Sequence, residues 1–391
     1  MMVNSYQPYY TVKQVLQLAG RECNTNLNSH SQRVLQRIKA CRSATLGYHL
    51  YRCADRACGA LRYQYHSCRD RHCPMCGQIR KEEWIEARSK ELLPVAYFHA
   101  VFTLPAELNQ LMMANRRLLY KLLFDASAAT LLSFAKDPQW MGATPGIVSV
   151  LHTWGQQLSF HPHVHCIVSG GGIDSRQKWK EGKRCKEGFL FPTKAMAVMF
   201  RAKYLEGVRQ LWKDQKLQVA PGVRIDLLLK PLWKKTWVVY AKPPWGGPAA
   251  VIEYLGRYTH KAAISNYRIK DINEAEGMVS FVYKDYSDSS KRKLMTLSIA
   301  EFARRFAQHI LPKGFTRIRS YGYLANRGRQ QRVNQVLQQL DLPPHPAAVN
   351  TPVALRLKEK YGLDMYQCPC CKTGRLELMA VHYFSMRSDD G

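Results

Sequence analysis

Two pairs of residues could carry out chemistry through their type and spacing. His163 and His165 lie two apart in an apolar stretch. Because side chains alternate along a strand, both imidazoles would share one face and could bind one cation. Tyr254 and Tyr258 lie four apart, so a helix would place them on one side, about 5–6 Å from each other. Each pair also has an ordinary explanation, as surface histidines at a strand end or as aromatic residues of a helix core face.

The surroundings of Tyr258 favour a phosphate partner over a core position. Arg257, His260 and Lys261 lie within three residues of it, and such cations hold phosphate oxygens through charge-assisted hydrogen bonds. A tyrosine hydroxyl that attacks a phosphodiester needs a cation at the scissile oxygen and positive groups beside the developing charge. We therefore interpret Tyr254 and Tyr258 as candidate nucleophiles, with Tyr258 better placed for the first attack.

A dense block of cysteines predicts bound zinc. Six of the 12 cysteines lie between Cys41 and Cys76, where even spacing along the chain would put about one. Cys53 and Cys58 form one closely spaced pair, and Cys73 pairs with Cys76. Two such pairs on tight turns can close a tetrahedral zinc site, whereas the alternative is a set of buried free thiols. The remaining candidates form a second ligand set: Cys41, His49, Cys68 and His72.

This block is too small to build a core alone, so we expect one or two zinc ions to supply its folding energy. Its basic stretch, with Arg69 and Arg71, suits DNA phosphates. Near the C-terminus, Cys368-Pro-Cys370-Cys371 could be half of another metal site. The second half is not evident from the sequence, and His382 is the nearby candidate.

The elements that position these residues follow from hydrophobic periodicity and turn signals. Helical patterns cover Thr11–Leu18, Ser31–Lys39, Gln78–Leu93, Ala106–Lys136, Thr193–Gln215, Pro248–His260 and Ile299–Leu311. Strand patterns cover Val95–Leu104, Ile147–Trp154, His163–Ser169, Arg224–Leu229 and Trp237–Ala241, with a meander over Ile264–Ser298. Strands mixed with long helices predict an α+β fold.

The charge balance limits the class of partner. The chain has 58 Lys and Arg against 29 Asp and Glu, a net charge of +29 over 391 residues, and nucleic acid is the usual partner of such an excess. The longest apolar stretch, Leu92–Leu104, contains Pro94 and His99 and is shorter than the roughly 20 residues that cross a membrane. Without an apolar leader, we expect a cytoplasmic protein whose thiols stay reduced.

Together these stretches resemble the transposases of the insertion-sequence ninety-one family, a branch of the HUH endonucleases. The matching stretches run in the family's order and cover nearly the whole chain: Cys68–Cys76, Phe102–Pro105, His152–Gln157, His161–Gly172, Glu253–Ile269 and Ile318–Arg327. Within them, Phe102–Pro105 resembles the first motif of rolling-circle initiators. Tyr258 and Lys261 resemble their Tyr-x-x-Lys motif, which makes Lys261 a catalytic candidate.

The resemblance implies a ferredoxin-like HUH nuclease core with an antiparallel central sheet and the His-x-His pair on a central strand. It also implies two active-site tyrosines and rolling-circle-type transposition through 5′-phosphotyrosine intermediates. The expected partners are single-stranded DNA at the ends of its own mobile element and target DNA, in the cytoplasm and on the nucleoid. Arg257, Arg69, Arg71 and Arg327 are the expected DNA contacts.

The family's metal site needs a third ligand, which we expect to be Gln156 on the strand before the histidines. His152 shares a face with Gln156 in strand alternation, and Gln157 is a further alternative. The expected cation is Mg²⁺ or Mn²⁺, and imidazole ligands suit Mn²⁺ better.

The predicted domains are residues 1–93 with the zinc block, 94–300 with the nuclease, and a basic C-terminal region over 301–391. Three other functions stay open. A plasmid replication initiator or relaxase would share the chemistry, although Cys41–Cys76 and Ile318–Arg327 favour a transposase. A non-catalytic zinc-finger DNA-binding protein would leave the tyrosine helix unexplained. A metallohydrolase would need further His or Asp ligands and would have no use for the positive charge.

Overall fold

The computed structural model describes residues 9–20, 27–89, 91–242, 250–251, 256, 262–345 and 351–383. They divide into two units, each assembled from separated segments. Unit 1 takes residues 1–80, 260–310 and 347–391, and unit 2 takes residues 81–259 and 311–346. The chain thus passes between the units several times, whereas the sequence suggested three consecutive domains.

The helices of the described residues are α1 Val12–Leu18, α2 Ser29–Lys39, α3 Gly77–Ser89, α4 Asn109–Ala114, α5 Arg116–Lys136, α6 Thr193–Lys213, α7 Ile225–Lys234, α8 Ile299–Gln308, α9 Arg329–Gln339 and α10 Val353–Tyr361. The strands are β1 Tyr48–Cys53, β2 Leu61–Tyr65, β3 Tyr97–Thr103, β4 Thr144–Trp154, β5 Phe160–Ile173, β6 Trp179–Glu181, β7 Val239–Lys242, β8 Ile269–Asn273, β9 Met278–Asp285, β10 Lys291–Ser298, β11 Ile318–Tyr321 and β12 Leu376–His382.

Unit 2 is built on an antiparallel sheet in the order β11-β4-β5-β3-β7, with β6 paired to β5. Alternate residues of the central strands point to opposite faces. Phe98 and Phe102 of β3 and Val164 of β5 belong to a large apolar core with α5 and α6. The other face carries Tyr97, Val150 and Ile167 in a smaller cluster, together with the histidines described below. Both faces are therefore covered, which explains why these strands are buried along most of their length.

The helix α5 is long and apolar enough to cross a membrane by length and composition alone. This length and composition give only weak support for a membrane segment, because the buried core helix of a globular unit can have both. Leu119, Tyr120, Leu123 and Phe124 of this helix are fully buried in the core of unit 2.

Two predicted elements of unit 2 differ in the structure. Residues 224–229 form no strand; they begin α7, and Ile225, Leu229 and Leu232 are its buried residues. That spacing of four and three residues is helical, so the strand prediction is wrong. The single long helix expected over residues 106–136 is interrupted at Asn115. The Asn115 amide instead binds the backbone of Gln218 through bonds of 2.7 and 2.8 Å.

Unit 1 contains two three-stranded antiparallel sheets, ordered β12-β1-β2 and β10-β9-β8. The predicted meander is confirmed as β8–β10. Helix α1 begins at an N-cap, Thr11, whose side chain accepts from the backbone N–H of Gln14 at 3.3 Å. Because β12 pairs with β1, the C-terminal segment completes the sheet that contains the first cysteine pair.

Candidate metal centres

Three histidines converge on one face of the central sheet of unit 2. In the antiparallel register of β4 and β5, His152 lies opposite His163, and Val150 lies opposite His165. Residues at alternate positions of these paired strands share a face. One ligand nitrogen of each imidazole lies within 4.8 Å of the others. The predicted alternation of His163 and His165 is thus present, and a third imidazole joins them.

Neighbouring groups orient these imidazoles. His163 Nδ1 donates to the backbone carbonyl of His161 at 2.7 Å, so its Nε2 is left without a proton and can coordinate a cation. His99 of β3 is buried and places its Nε2 2.9 Å from Nδ1 of His165. Such second-shell bonds hold metal-binding imidazoles in one orientation.

The third imidazole has an aromatic support. The His152 ring stacks on Trp154, with centroids 4.7 Å apart and planes 18° apart. The guanidinium of Arg317 covers the Trp154 ring at 4.9 Å, and Arg317 Nε donates to the Leu151 carbonyl at 3.1 Å. Arg317 and Trp154 therefore pack beside His152 and restrict its movement.

Burial keeps imidazoles of this site in the neutral form, which is the form that binds a cation. Removal from water lowers the pKa of His163 to about 4. Burial, followed by the nearby charge of Lys242, lowers the pKa of His99 to about 4. Both imidazoles are neutral at physiological pH, and the neutral form is the metal ligand. Three imidazoles with open positions for oxygen fit Mn²⁺ better than Mg²⁺, which prefers oxygen ligands.

The expected third ligand, Gln156, is not on a strand. β4 ends at Trp154, and Gln156 lies in the turn that precedes β5. This turn is closed by the Gly155 N–H, which donates to the Ser159 carbonyl at 2.9 Å, and Leu158 there has a φ of 57°. Because the strand stops before Gln156, the alternation that supported Gln156 does not reach it. The imidazole of His152 lies beside those of His163 and His165.

The predicted tyrosine helix falls mostly outside the described residues, which include Val251 and Gly256 of this segment but not Tyr254, Arg257, Tyr258 or Lys261. Val251 and Gly256 are helical. Val251 is buried in the cluster of Tyr97, Val150 and Ile167. In strand alternation, Val150 shares its face with His152, and Ile167 shares its face with His163 and His165. The described start of this segment therefore lies on the sheet face that carries the three imidazoles.

In unit 1, four cysteines from the predicted zinc block form one cluster: Cys41, Cys68, Cys73 and Cys76. Cys41 Sγ lies 3.4 Å from Cys76 Sγ and 3.7 Å from Cys73 Sγ, and Cys68 Sγ lies 3.6 Å from Cys76 Sγ. These distances exceed the roughly 2.05 Å of a disulfide and match the edges of a tetrahedron around zinc. Hydrogen bonds from Cys68 and Cys73 lower the pKa of the Cys41 thiol to about 7, which favours a thiolate ligand.

The grouping of ligands differs from the predicted one. Cys53 and Cys58 lie with Cys368 and Cys371, apart from the cluster of Cys73. Neither predicted histidine joins a cysteine cluster. His72 Nδ1 pairs with Asp70 at 2.8 Å, and the His49 ring lies against His66 with centroids 4.8 Å apart.

The remaining predicted residues lie elsewhere on the molecule. His382 pairs with Tyr48 at the end of β12 and lies outside the cysteine clusters. Arg69 and Arg327 are exposed, as a phosphate contact requires. Arg71 is half-buried, and burial lowers its pKa. The roles of these arginines stay predictions.

Two family models match the chain. Residues 12–104 match the transposase zinc-binding domain of the IS91 type. Residues 146–332, which contain the three histidines, match a model described as "Putative transposase". The class of protein is therefore a transposase with an N-terminal zinc-binding domain.

Relatives along nearly the whole length define the family. The "Putative transposase y4qJ" of Sinorhizobium fredii is 42% identical over 369 residues, covering 92% of this chain and 91% of the relative. The transposase for insertion sequence element IS801 of Pseudomonas savastanoi pv. phaseolicola is 30% identical over 348 residues, covering 86% of this chain and 80% of the relative. The chain belongs to the insertion-sequence ninety-one (IS91) family of transposases, which confirms the predicted resemblance.

Two solved structures of the conjugative relaxase TrwC with DNA also align with 63% of this chain at 11% identity. Their TM-scores are 0.23 and 0.24, and the alignments cover 74% and 72% of those chains. This similarity is too weak to support a conclusion. The α+β class with an antiparallel central sheet, as predicted, is confirmed by the strand pairing itself.

Proposed function

We propose that this transposase nicks and rejoins single-stranded DNA through 5′-phosphotyrosine intermediates, and so mobilises an insertion sequence by a rolling-circle-like route. The observation that carries the proposal is the convergence of His152, His163 and His165 on one sheet face. Val251, which begins the segment with Tyr254 and Tyr258, packs on the same face.

In this proposal His152, His163 and His165 hold a Mn²⁺ or Mg²⁺ ion, which polarises the scissile phosphate when bound. The hydroxyl oxygen of Tyr258 attacks phosphorus. The hydroxyl gives up its proton as its oxygen bonds to phosphorus, the bond from phosphorus to the 3′-oxygen breaks, and the leaving 3′-oxygen takes up a proton. Lys261 and Arg257 neutralise the charge that develops on the phosphate.

A second tyrosine has a use in strand exchange. A chain with one tyrosine holds one cleaved strand, which must be released by attack of a 3′-hydroxyl. Tyr254 and Tyr258 together could hold two strands at once, which suits the exchange of donor and target ends. The partners are then single-stranded DNA from the element's ends and from the target. Arg69 and Arg327 are exposed cations that could contact such DNA.

The test is a covalent adduct. The full chain is incubated with Mn²⁺ and single-stranded oligonucleotides from the ends of its element, and protein–DNA adducts are resolved on a denaturing gel. Tyr258→Phe should lose the adduct, because only the attacking oxygen is removed. Tyr254→Phe should keep cleavage but fail in complete transposition. Loss of the adduct in Tyr254→Phe alone would reverse the order of attack.

The metal residues give the second arm of this test. His163→Ala and His165→Ala should abolish nicking yet retain DNA binding, because affinity comes mainly from contacts between cationic side chains and phosphates. If both Phe variants formed full adduct, the nucleophile would lie elsewhere. If His163→Ala cleaved normally, the imidazole cluster would not be the catalytic metal site.

A further inference from the structure

Four cysteines from the two ends of the chain meet in unit 1. Cys53 and Cys58 flank the end of β1, and Cys368 and Cys371 precede β12. Cys53 Sγ lies 3.7 Å from Cys371 Sγ, and Cys58 Sγ lies 3.9 Å from Cys368 Sγ. All four sulfur atoms lie within 4.8 Å of one another.

These separations fit one ion and exclude disulfides. A disulfide joins its sulfur atoms at about 2.05 Å. Zinc binds thiolates at about 2.3 Å in tetrahedral geometry, which puts neighbouring sulfur atoms about 3.8 Å apart. We propose that Cys53, Cys58, Cys368 and Cys371 form a second structural zinc site, distinct from the cluster of Cys41, and that this site joins the C-terminal segment to the N-terminal zinc-binding domain.

Both cysteine pairs lie on turns that present sulfur atoms to one point. On the first, the N–H groups of Cys58 and Gly59 donate to the Asp55 carbonyl at 3.1 and 2.8 Å. On the second, the Lys372 N–H donates to the Cys368 carbonyl at 3.0 Å. Two tight turns with two thiolates each are the usual construction of a four-cysteine zinc site.

Gly374 permits the close approach of the two turns. A Cβ atom there would lie 2.5 Å from Cys53 Sγ and 3.2 Å from Cys371 Sγ. The Gly374 N–H instead donates to Cys371 Sγ at 3.2 Å. Such a bond to sulfur stabilises the thiolate form, which is the form that binds metal. The glycine therefore supports the packing of sulfur atoms and not only the turn.

The site continues into a regular sheet. β12 pairs with β1 in antiparallel register, with Leu376 opposite Cys53, and the Ala54 N–H donates to the Arg375 carbonyl at 2.8 Å. The small core beside the site consists of buried Cys53, Cys368 and Leu376. Since this core holds so few apolar side chains, the metal would supply much of the free energy that keeps β12 in place.

The four cysteines lie far apart in the sequence, which determines how much a shared ion would restrict the unfolded chain. Cys58 and Cys368 are 310 residues apart, so one ion would close almost the whole chain into a loop. A crosslink over a long loop restricts the unfolded chain more than one over a short loop. A transposase copy truncated before Cys368 would lack two of the four ligands and would lose this ion, although its N-terminal cysteines are intact.

Cys370 provides a matched control, because it lies in the same Cys-Pro-Cys-Cys stretch but is exposed and outside the cluster. Zinc per chain is measured by mass spectrometry on the purified full chain. We expect two zinc ions in the unmodified chain and two in Cys370→Ser. One ion should remain in the double variant Cys368→Ser with Cys371→Ser, and one in Cys53→Ser with Cys58→Ser. Combining the first pair with Cys73→Ser and Cys76→Ser should leave none.

One zinc ion in the unmodified chain, or two in the Cys368 and Cys371 double variant, would overturn the proposal. Loss of an ion in Cys370→Ser would overturn the ligand assignment. If the double variants fail to fold, zinc-edge X-ray absorption decides, measured on the chain with His163→Ala and His165→Ala so that the imidazole cluster contributes no nitrogen ligands. Four sulfur ligands at both ions support the site, and nitrogen in the average coordination contradicts it. None of these readouts depends on DNA cleavage, so the proposal stands or falls independently of the proposed activity.

Discussion

At the residue scale, we expect His99 to act as a positioning residue for His165, a role that the sequence does not reveal. It is buried on β3 and reaches His165 through a 2.9 Å contact between ring nitrogens. We expect His99→Ala to weaken Mn²⁺ binding by about 10- to 100-fold, because the His165 ring loses the bond that orients it. Titration of the full chain, followed by the electron paramagnetic resonance of free Mn²⁺, measures this change.

His161 offers a control on the neighbouring strand β5. Its side chain is exposed and outside the imidazole cluster. Its backbone carbonyl accepts from His163 Nδ1, and its ring lies 5.2 Å from the His163 ring, centroid to centroid. His161→Ala keeps that carbonyl, so it should bind Mn²⁺ as the unmodified chain does. Equal affinity for all three proteins would show that His99 does not support the metal site.

The reactivity of the Cys166 thiol shows whether the His99 and His161 variants keep a folded sheet. It follows His165 on β5 but faces the apolar core, and burial raises the pKa of its thiol to about 12. A raised pKa keeps the thiol protonated at pH 8, so alkylation by iodoacetamide should be about a thousandfold slower than for an ordinary cysteine. Peptide mass spectrometry checks this, with guanidinium-unfolded protein as the fully labelled reference. Rapid labelling of Cys166 in the native chain would contradict the burial of β5.

At the element scale, strand alternation predicted the shared face of His163 and His165, since it depends only on neighbours along one strand. His152 and His99 lie on other strands, and their approach depends on the register of β4 with β5 and of β3 with β5. Register follows from long-range packing, which the sequence pattern does not contain. The proximity of Cys53 and Cys371 could not be predicted for the same reason, because it requires β12 to lie beside β1.

The segment that carries the tyrosines packs closely on α3 at Gly256. A Cβ atom there would lie 2.3 Å from Cδ1 of Ile85. We expect Gly256→Val to destabilise this contact by about 1–3 kcal/mol and to reduce DNA cleavage, because the flanking tyrosines would shift. Mn²⁺ binding by the imidazoles should stay unchanged.

A second substitution, at Ile85, tests whether Gly256→Val acts through the packing contact between these two residues. Ile85 is a partly buried member of the cluster around Val251. Ile85→Ala removes the two atoms nearest to a Cβ at position 256 and leaves the flexible end of Lys81, whose Cε lies 3.2 Å away. Combining Ile85→Ala with Gly256→Val should therefore recover part of the lost cleavage rate in the oligonucleotide assay. No recovery in the double variant would place the effect of Gly256→Val elsewhere.

At the scale of the whole molecule, the charge of +29 is the dominant property. In most of the described ion pairs at least one partner is exposed to solvent, and such pairs contribute little to stability. Many of the 58 cations have no anion to balance them. Their mutual repulsion destabilises the free chain, so a polyanion would lower the free energy of the molecule as well as bind to it.

The proposed DNA interface therefore predicts a steep dependence on salt. Each phosphate that a cation neutralises releases bound counterions, and the logarithm of affinity falls by about 0.7 per phosphate for each tenfold rise in salt on single strands. With about seven contacts, affinity for a single-stranded oligonucleotide should fall by about 10³ between 50 and 200 mM salt. Fluorescence anisotropy in the absence of divalent ions measures this fall in affinity.

His163→Ala should give the same slope of affinity against salt, since the imidazoles are neutral. Arg69→Ala combined with Arg327→Ala should reduce the slope by the equivalent of up to two phosphate contacts. A flat response to salt would show that the positive charge does not serve a phosphate interface.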